Sequence, residues 1–225
     1  MIPLFKSHFS IGKSILTLNN PSSLDDGKTD SVFSIAQDNN LKEVVLVEDS
    51  LTGFLQAKKV SESIGVKLVF GLRIDMCEDS KLNPKEESVK SRHKIVIFAK
   101  NSEGCKLLNS IYSEAHSEAF NSVDEKMLKK HWDNKKLILA IPFYDSFIFN
   151  NNIKFSNCTP NFSFTKPVYF IENNSLPFDL LLRSRVIKFA EENKCKTEMV
   201  KSIYYRKKKD VSALQTYKCI TGRTF

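Results

Sequence analysis

The segment from Val44 to Arg73 constrains the fold of this chain more than any other. An apolar run at Val44–Val47 is followed by a polar cluster, a helix-like repeat, Gly65 and a second apolar run at Val66–Gly71. A glycine at this place is typical of the end of a helix. The repeat is spaced to bury one helix face, formed by Phe54, Leu55, Ala57, Val60 and Ile64. The order predicts a strand, a helix and a second strand that ends at Arg73, as in the βαβ unit of a parallel sheet.

Charged side chains follow both predicted strands. Glu48 and Asp49 come directly after the first strand, and Arg73 ends the second. In βαβ units, the loops after the C-terminal ends of the strands carry the chemistry. We therefore expect any active site to gather at these residues.

Strands and helices alternate along the rest of the chain. Predicted strands are Ile2–Lys6, His93–Lys100, Lys136–Ile141, Val168–Ile171 and Glu198–Tyr205, and predicted helices lie near 32–36, 101–112, 124–131 and 177–193. Polar segments at 19–31 and 75–92 are predicted to be loops. The last long helix is predicted to turn inward Leu180, Leu181, Val186, Ile187, Phe189 and Ala190. This alternation predicts one α/β domain over residues 1–225.

The region 143–167 has no clear period and is rich in aromatic residues. Its aromatic side chains are Phe143, Tyr144, Phe147, Phe149, Phe155, Phe162 and Phe164. Two interpretations stay open: the rings fill a core, or they form an exposed docking patch.

The positive charge is concentrated near the C-terminus. The chain has a net charge of +8, and its segment 201–225 contributes +6 of this, from seven basic residues and Asp210. Such a balance favours acidic partners, nucleic acid included. The run Arg206–Lys209 is either a solvated charge run or a contact for phosphate groups. Tyr204 and Tyr205 flank it, which is typical of nucleic-acid surfaces but also of an ordinary strand.

The cysteines and the hydropathy pattern indicate a cellular setting. Five cysteines are scattered without a CxxC pair or zinc spacing, which predicts a reducing compartment. No apolar run reaches the roughly 18 residues of a membrane span, and the N-terminus lacks the apolar core of a signal peptide. We expect a soluble cytoplasmic protein without a membrane partner, in the host cytoplasm if the chain is viral.

Four segments resemble, in order and spacing, the PHP (polymerase and histidinol phosphatase) domain at the N-terminus of bacterial DNA polymerase III alpha subunits. They are FKSHFSIGKSIL, VVLVEDSLTGFLQAKKVSESIGVKLVFGLRI, HKIVIFAKNSEGCKLL and the closing part VYFIENN with IKFAEENKCKTEMVKSIYYRKKKD. The resemblance implies a distorted (β/α)7 barrel. Active members of the family bind several metal ions at the strand C-termini and hydrolyse phosphoesters, in some polymerases as a 3′–5′ exonuclease. Other members have lost their metals and serve as interaction modules.

The chain departs from the family at the implied metal ligands. Positions that match family ligands carry Lys6, Arg73, Ser202 and Tyr204, with Lys201 beside the last two. The candidate ligands that remain are His8, Glu48, Asp49 and His93. A metal cluster needs several such ligands without competing positive charge. We therefore expect a metal-free relic without a cofactor, in which Arg73 or Lys6 pairs with Glu48 or Asp49.

Alternatives for these residues stay open. Glu48 and Asp49 could act as an acid–base pair. His8 either ligates a metal or is hydrogen-bonded in a polar cleft, and His93 is either functional or structural. In the metal-binding alternative His8, Asp49 and His93 hold a divalent ion such as Mn²⁺, Zn²⁺ or Mg²⁺.

The function that we expect is that of a catalytically inactive PHP-like domain in DNA replication or repair. Its partner would be a DNA polymerase, another replisome protein or DNA. The polymerase catalytic domains are absent from the chain, which suggests a small genome such as that of a bacteriophage. One alternative is a divergent metal-dependent phosphoesterase or 3′–5′ exonuclease. Another is a basic nucleic-acid-binding protein that uses Arg206, Lys207, Lys208 and Lys209.

Overall fold

The computed structural model describes residues 1–23, 30–82, 92–117 and 119–222. These residues fall into two compact units, which are described separately below. One unit contains Met1 and 72–200, and the other contains 2–71 and 201–225. The expectation of one domain over residues 1–225 stays a prediction.

Eight strands and seven α-helices make up the described chain. The strands are β1 (Ile2–Phe5), β2 (Glu43–Glu48), β3 (Lys67–Met76), β4 (His93–Ala99), β5 (Ser122–Val123), β6 (Leu137–Ile141), β7 (Val168–Ile171) and β8 (Lys196–Ile203). The helices are α1 (Val32–Asp38), α2 (Phe54–Ser63), α3 (Ser102–Ser117), α4 (Glu125–His131), α5 (Phe147–Ile153), α6 (Asp179–Glu192) and α7 (Val211–Thr221). Short 3-10 turns occupy Pro21–Ser23 and Lys208–Asp210.

The strands form one hydrogen-bonded order, β2-β1-β8-β7-β6-β4-β3-β5, and β2 also pairs with β3. Seven strands therefore close a ring, and β5 is added to it beside β3. The pairs β1–β2, β6–β7 and β7–β8 are parallel, whereas β4 runs antiparallel to β6. This order confirms the predicted α/β fold class, a (β/α)7 barrel that is distorted by the reversed strand.

The segment from Val44 to Arg73 folds as predicted into a strand, a helix and a second strand, which are β2, α2 and β3. Gly65 has a φ of +69°, the left-handed conformation that favours glycine after a helix. The predicted buried face was partly wrong. Leu55 is 68% exposed, and the buried residues of α2 are Ala57 and Ser61.

The predicted end of β3 was also wrong. The strand continues past Arg73 to Met76, with Leu72, Ile74 and Met76 buried on alternate positions. This burial outweighs the polar residues between them, which had suggested a loop from Asp75 onward. Arg73 therefore lies within a strand and not at its end. The rest of the two predicted loops lies partly outside the described residues, at 24–29 and 83–91.

The segment from β4 to α3 follows the sequence prediction closely. Asn101 caps the start of α3, because its side-chain Oδ1 accepts a hydrogen bond from the Gly104 N–H at 2.9 Å. A Cβ at Gly104 would lie 2.3 Å from the carbonyl oxygen of Lys136. The start of α3 therefore packs so closely on the backbone of Lys136 that only glycine fits at position 104.

Two helices differ from the prediction. Helix α5 lies in the region 143–167, where no helical period was recognised, and it begins with a cap by Ser146. Helix α6 buries Leu182, Val186 and Ala190, whereas Leu180 is 80% exposed and Leu181 is exposed as well. Apolar residues on both faces of α6 obscured its true inner face.

None of the helices in the described ranges is both long and apolar enough to cross a lipid bilayer.

Candidate functional site

Glu48 ends β2 in a fully buried position of the unit that contains residues 2–71. Its Oε1 accepts a hydrogen bond from the Ser7 N–H at 2.8 Å, and its Oε2 accepts one from the Ser10 hydroxyl. Burial raises the pKa of Glu48, and the hydrogen bonds from Ser10 and Ser7 oppose that rise. No lysine or arginine of the described residues forms a salt bridge with Glu48. The loop after β1 thus supplies the donors that satisfy this carboxylate.

Asp49, the next residue, is held by a lysine. The Lys6 Nζ lies 2.8 Å from Asp49 Oδ1, with the two side chains 8% and 31% exposed. The Asp49 N–H donates to the Ser10 hydroxyl oxygen at 2.9 Å. Ser10 therefore links the two carboxylate residues, and the structure contains the Lys6–Asp49 pair predicted from the sequence.

His8 lies in the same loop and is partly exposed. Its Nδ1 is 3.3 Å from the carbonyl oxygen of Leu16, and its ring lies 4.4 Å from that of Phe9, centroid to centroid. This contact ties the His8 ring to the backbone of its own loop, and the choice between the two interpretations of His8 stays a prediction.

The closing motif positions lie at the end of β8 and just after it. Lys201 and Ser202 belong to β8, and Tyr204 follows it. The carbonyl oxygen of Tyr204 accepts a hydrogen bond from the Ser14 hydroxyl at 2.9 Å and one from the Ile15 N–H at 3.2 Å. These contacts attach the segment after β8 to the loop that carries His8.

Arg73 belongs to the other unit, where it forms an ion pair with Asp145, which was not among the predicted site residues. Its Nη2 lies 2.7 Å from Asp145 Oδ2. Asp145 has a φ of +60°, which is uncommon for an aspartate and turns the chain just before α5. Asp145 was missed because it falls in the region 143–167, where the apolar residues follow no clear helical or strand period. Lys94 and Asp75 form a further ion pair in this unit, at 2.7 Å.

His93 begins β4 and is almost fully buried. Its ring packs against that of Phe147, with the centroids 5.8 Å apart. In the described part of the chain, neither ring nitrogen has a hydrogen-bond partner. Burial lowers the pKa of His93 to about 4, so the imidazole is neutral at pH 7.

The basic run after β8 is not uniform. Arg206 donates hydrogen bonds to Asp30, at 3.0 Å, and to Asp38. The following lysines, Lys207, Lys208 and Lys209, are exposed. Arg206 is therefore used within its unit.

The aromatic region contains both buried and exposed rings, and a docking role for it stays a prediction. Phe143 and Phe147 are buried, as in a core, whereas Phe155 is 91% exposed. The Tyr144 hydroxyl donates to Asp179 Oδ1 at 2.8 Å, and burial together with this carboxylate raises the pKa of the phenol.

A metal cluster of the kind implied by the resemblance does not fit these side chains. Among the described residues, no three histidine, cysteine, aspartate or glutamate side chains are grouped so as to hold a metal ion. Lys6 occupies one implied ligand position, and the oxygens of Glu48 are taken by Ser7 and Ser10. An ammonium group at this distance from a carboxylate competes with a divalent cation for it.

The strand order defines the chain as an α/β barrel protein. No protein-family model matches it, and no curated protein matches it. Among solved structures, the chain is similar to one from Bifidobacterium adolescentis described as "a putative metal-dependent phosphoesterase". The identity is 9%, the TM-score is 0.45, and 99% of each chain is covered.

Proposed function

We propose that this chain is a catalytically inactive PHP-like domain that acts in DNA replication or repair by binding a partner. The observation that carries the proposal is the Lys6–Asp49 ion pair, with 2.8 Å between Nζ and Oδ1. It puts a buried ammonium group where the resemblance implies a histidine ligand. The pair neutralises a carboxylate that a metal would need, and the positive charge repels a divalent ion.

Glu48 supports the same proposal. Its two oxygens accept hydrogen bonds from Ser7 and Ser10, and burial favours its protonated form. Hydrogen bonds to both oxygens occupy lone pairs that a metal ion would need.

The partner that we infer is a DNA polymerase or another replisome protein, with DNA as the alternative. The resemblance to a polymerase domain supports the protein partner, and the net charge of +8 supports an acidic surface on it. We also infer a cytoplasmic setting, which for a bacteriophage protein is the host cytoplasm.

The test of inactivity combines metal content with activity. The protein, purified without chelator, is analysed for bound metal and assayed on single-stranded DNA with added Mn²⁺. We expect no stoichiometric metal and no hydrolysis. Bound metal together with hydrolysis that His8→Ala abolishes, and that exposed His116→Ala retains, would overturn the proposal.

The test of the binding role is reconstitution. Proteins that co-purify with the chain from its native host are identified, produced separately and mixed with it in size-exclusion chromatography. Formation of a defined complex with a replication protein is the expected result. A chain that forms no complex with any of the purified replication proteins contradicts the interaction role.

One observation favours a second candidate, a metal-dependent phosphoesterase or 3′–5′ exonuclease. His93 is neutral and, within the described residues, both of its ring nitrogens lack a hydrogen-bond partner. A neutral imidazole is the form that binds a metal. This candidate predicts Mn²⁺-dependent hydrolysis in the assay above, and its loss in His8→Ala.

A further inference from the structure

A cavity of about 790 Å³ lies in the unit that contains residues 72–200. It is lined by the segment 159–167, by the first residues of β6 and β7, and by the end of α6. Its size falls within the roughly 300–1,000 Å³ of small-molecule sites. It adjoins the N-terminal ends of β6 and β7, whereas the metal site of the resemblance would use strand C-terminal ends. None of its lining residues was assigned to the candidate metal site described above.

Aromatic rings form much of the cavity wall. They are those of Phe162, Phe164, Tyr169 and Phe189. Phe162 and Phe164 lie 6.5 Å apart at an angle of 71° between their rings, so they present an edge and a face to one another. Rings arranged in this way offer apolar surface to a flat ligand.

The charged lining residues are both lysines. Lys100 and Lys166 line the cavity, and no aspartate or glutamate does. Neither lysine forms an ion pair with a carboxylate of the described residues, although the Lys100 Nζ donates to the carbonyl oxygen of Asn134 at 2.6 Å. Two uncompensated ammonium groups at one opening favour an anionic ligand.

We propose that this cavity binds a nucleotide. The base packs on the aromatic wall, which accepts any base because every base has a π-face. The phosphate pairs with Lys166 and Lys100, since lysine ammonium groups bind phosphate oxygens as point charges. The polar side chains of the segment 159–167 offer hydrogen bonds to the sugar. A free mononucleotide and the end of a single strand share this chemistry.

The chain contains its own reporter for this binding. Its one tryptophan, Trp132, packs edge-on against Phe164 with the ring centroids 5.2 Å apart. A base that reaches Phe164 changes the surroundings of the indole. Tryptophan fluorescence of the full chain is therefore titrated with adenosine 5′-monophosphate, with adenosine and with ribose 5-phosphate, all in excess EDTA. We expect saturable change with the monophosphate and at least about tenfold weaker binding of both fragments, because each loses one set of contacts.

Two variants localise the site. Lys166→Glu reverses the charge of an exposed residue, and we expect about a tenfold loss of affinity or more for the monophosphate. Lys59→Glu makes the same change on the exposed face of α2 and serves as the matched control, with affinity unchanged. Isothermal titration calorimetry of both variants gives the affinities without depending on Trp132, and circular dichroism checks that they fold.

The results distinguish a strand end from a free nucleotide as the ligand, and they show when the proposal fails. A short single-stranded oligonucleotide that binds at least tenfold more tightly than the monophosphate assigns the site to strand ends, and equal or weaker binding assigns it to free nucleotides. No saturable binding by either method overturns the proposal, and so does equal loss of affinity in Lys166→Glu and Lys59→Glu. Because EDTA is present throughout, failure here leaves the metal assay of the proposed function unaffected.

Discussion

At the scale of single residues, Lys6 combines burial with a positive charge beside the Asp49 carboxylate. The first prediction concerns Lys6→Met, which keeps the length of the side chain and removes its charge. Asp49, whose side chain is 31% exposed, then loses the ammonium group of Lys6, and we expect a loss of about 1–3 kcal/mol in the free energy of unfolding, measured with urea.

Lys67→Met is the matched control for this prediction. Lys67 pairs with Glu43 at 3.4 Å, and both side chains are mostly exposed, so the expected change is within about 0.5 kcal/mol. Equal losses in the two variants would contradict the role given to the Lys6–Asp49 pair.

His93 supplies a prediction on pH. The pKa of His93 is lowered to about 4 in the folded chain from an ordinary 6.5, so the unfolded chain binds this proton first. The stability that depends on neutral His93 is therefore present above pH 6.5 and is lost as the pH falls from 6.5 towards 4. His93→Leu places an apolar side chain that cannot titrate at this buried position. We expect it to flatten the profile of stability against pH between pH 6.5 and 4, measured by urea unfolding.

The exposed His116 gives the control for the pH profile. His116→Leu should keep the wild-type slope between pH 6.5 and 4. A His93→Leu profile that matches the wild type would show that His93 is not the titrating group. Stabilisation of the wild type by Mn²⁺ that His93→Leu abolishes would favour the phosphoesterase candidate instead.

At the scale of elements, α6 shows where periodicity failed. Its sequence places leucines at Leu180, Leu181 and Leu182, and a run of three apolar residues fits more than one inner face. The prediction is that Leu182→Ala costs about 2–5 kcal/mol, because this side chain is fully buried. Leu180→Ala should change stability by less than about 0.5 kcal/mol, since Leu180 is 80% exposed. Urea unfolding of both variants checks this, and the reverse order would restore the face expected from the sequence.

The elements with the clearest local signals were predicted well. Strand β4 and helix α3 follow from an apolar run, the Asn101 cap and the glycine that fits against Lys136. Helix α5 was missed because its asparagines and aromatic rings follow no helical period. The extension of β3 to Met76 was missed because its polar residues alternate with buried ones and resemble a loop when read one by one.

At the scale of the whole molecule, the net charge of +8 matters most through its distribution. Arg206 is already paired with Asp30 and Asp38, so a nucleic-acid contact after β8 rests on Lys207, Lys208 and Lys209. If the chain binds duplex DNA through these lysines, their joint replacement by alanine reduces the slope of log affinity against log salt by about 2–3. Fluorescence anisotropy at several salt concentrations measures the slope.

A control of equal charge accompanies this prediction. Joint replacement of Lys42, Lys58 and Lys59 by alanine removes the same charge from exposed positions elsewhere. Its slope should stay at the wild-type value. Equal slopes in the two triple variants, or binding that does not depend on salt, would remove the nucleic-acid role of the basic run.

The sequence by itself determined the βαβ order of β2, α2 and β3, the strand β4 with the helix α3 after it, and the residue types that stand at positions such as Lys6 and Arg73. These are local properties, since burial period, capping and residue type act within a few positions of the chain. Only the tertiary structure decided which side chains meet. Ser7 and Ser10 reach Glu48 across about 40 residues of chain, and Arg73 meets Asp145 across 72. The cavity beside β6 and β7 likewise joins segments from Lys100 to Cys195. Such contacts depend on how the strands pair and on the close packing of the side chains around them, which no local pattern encodes.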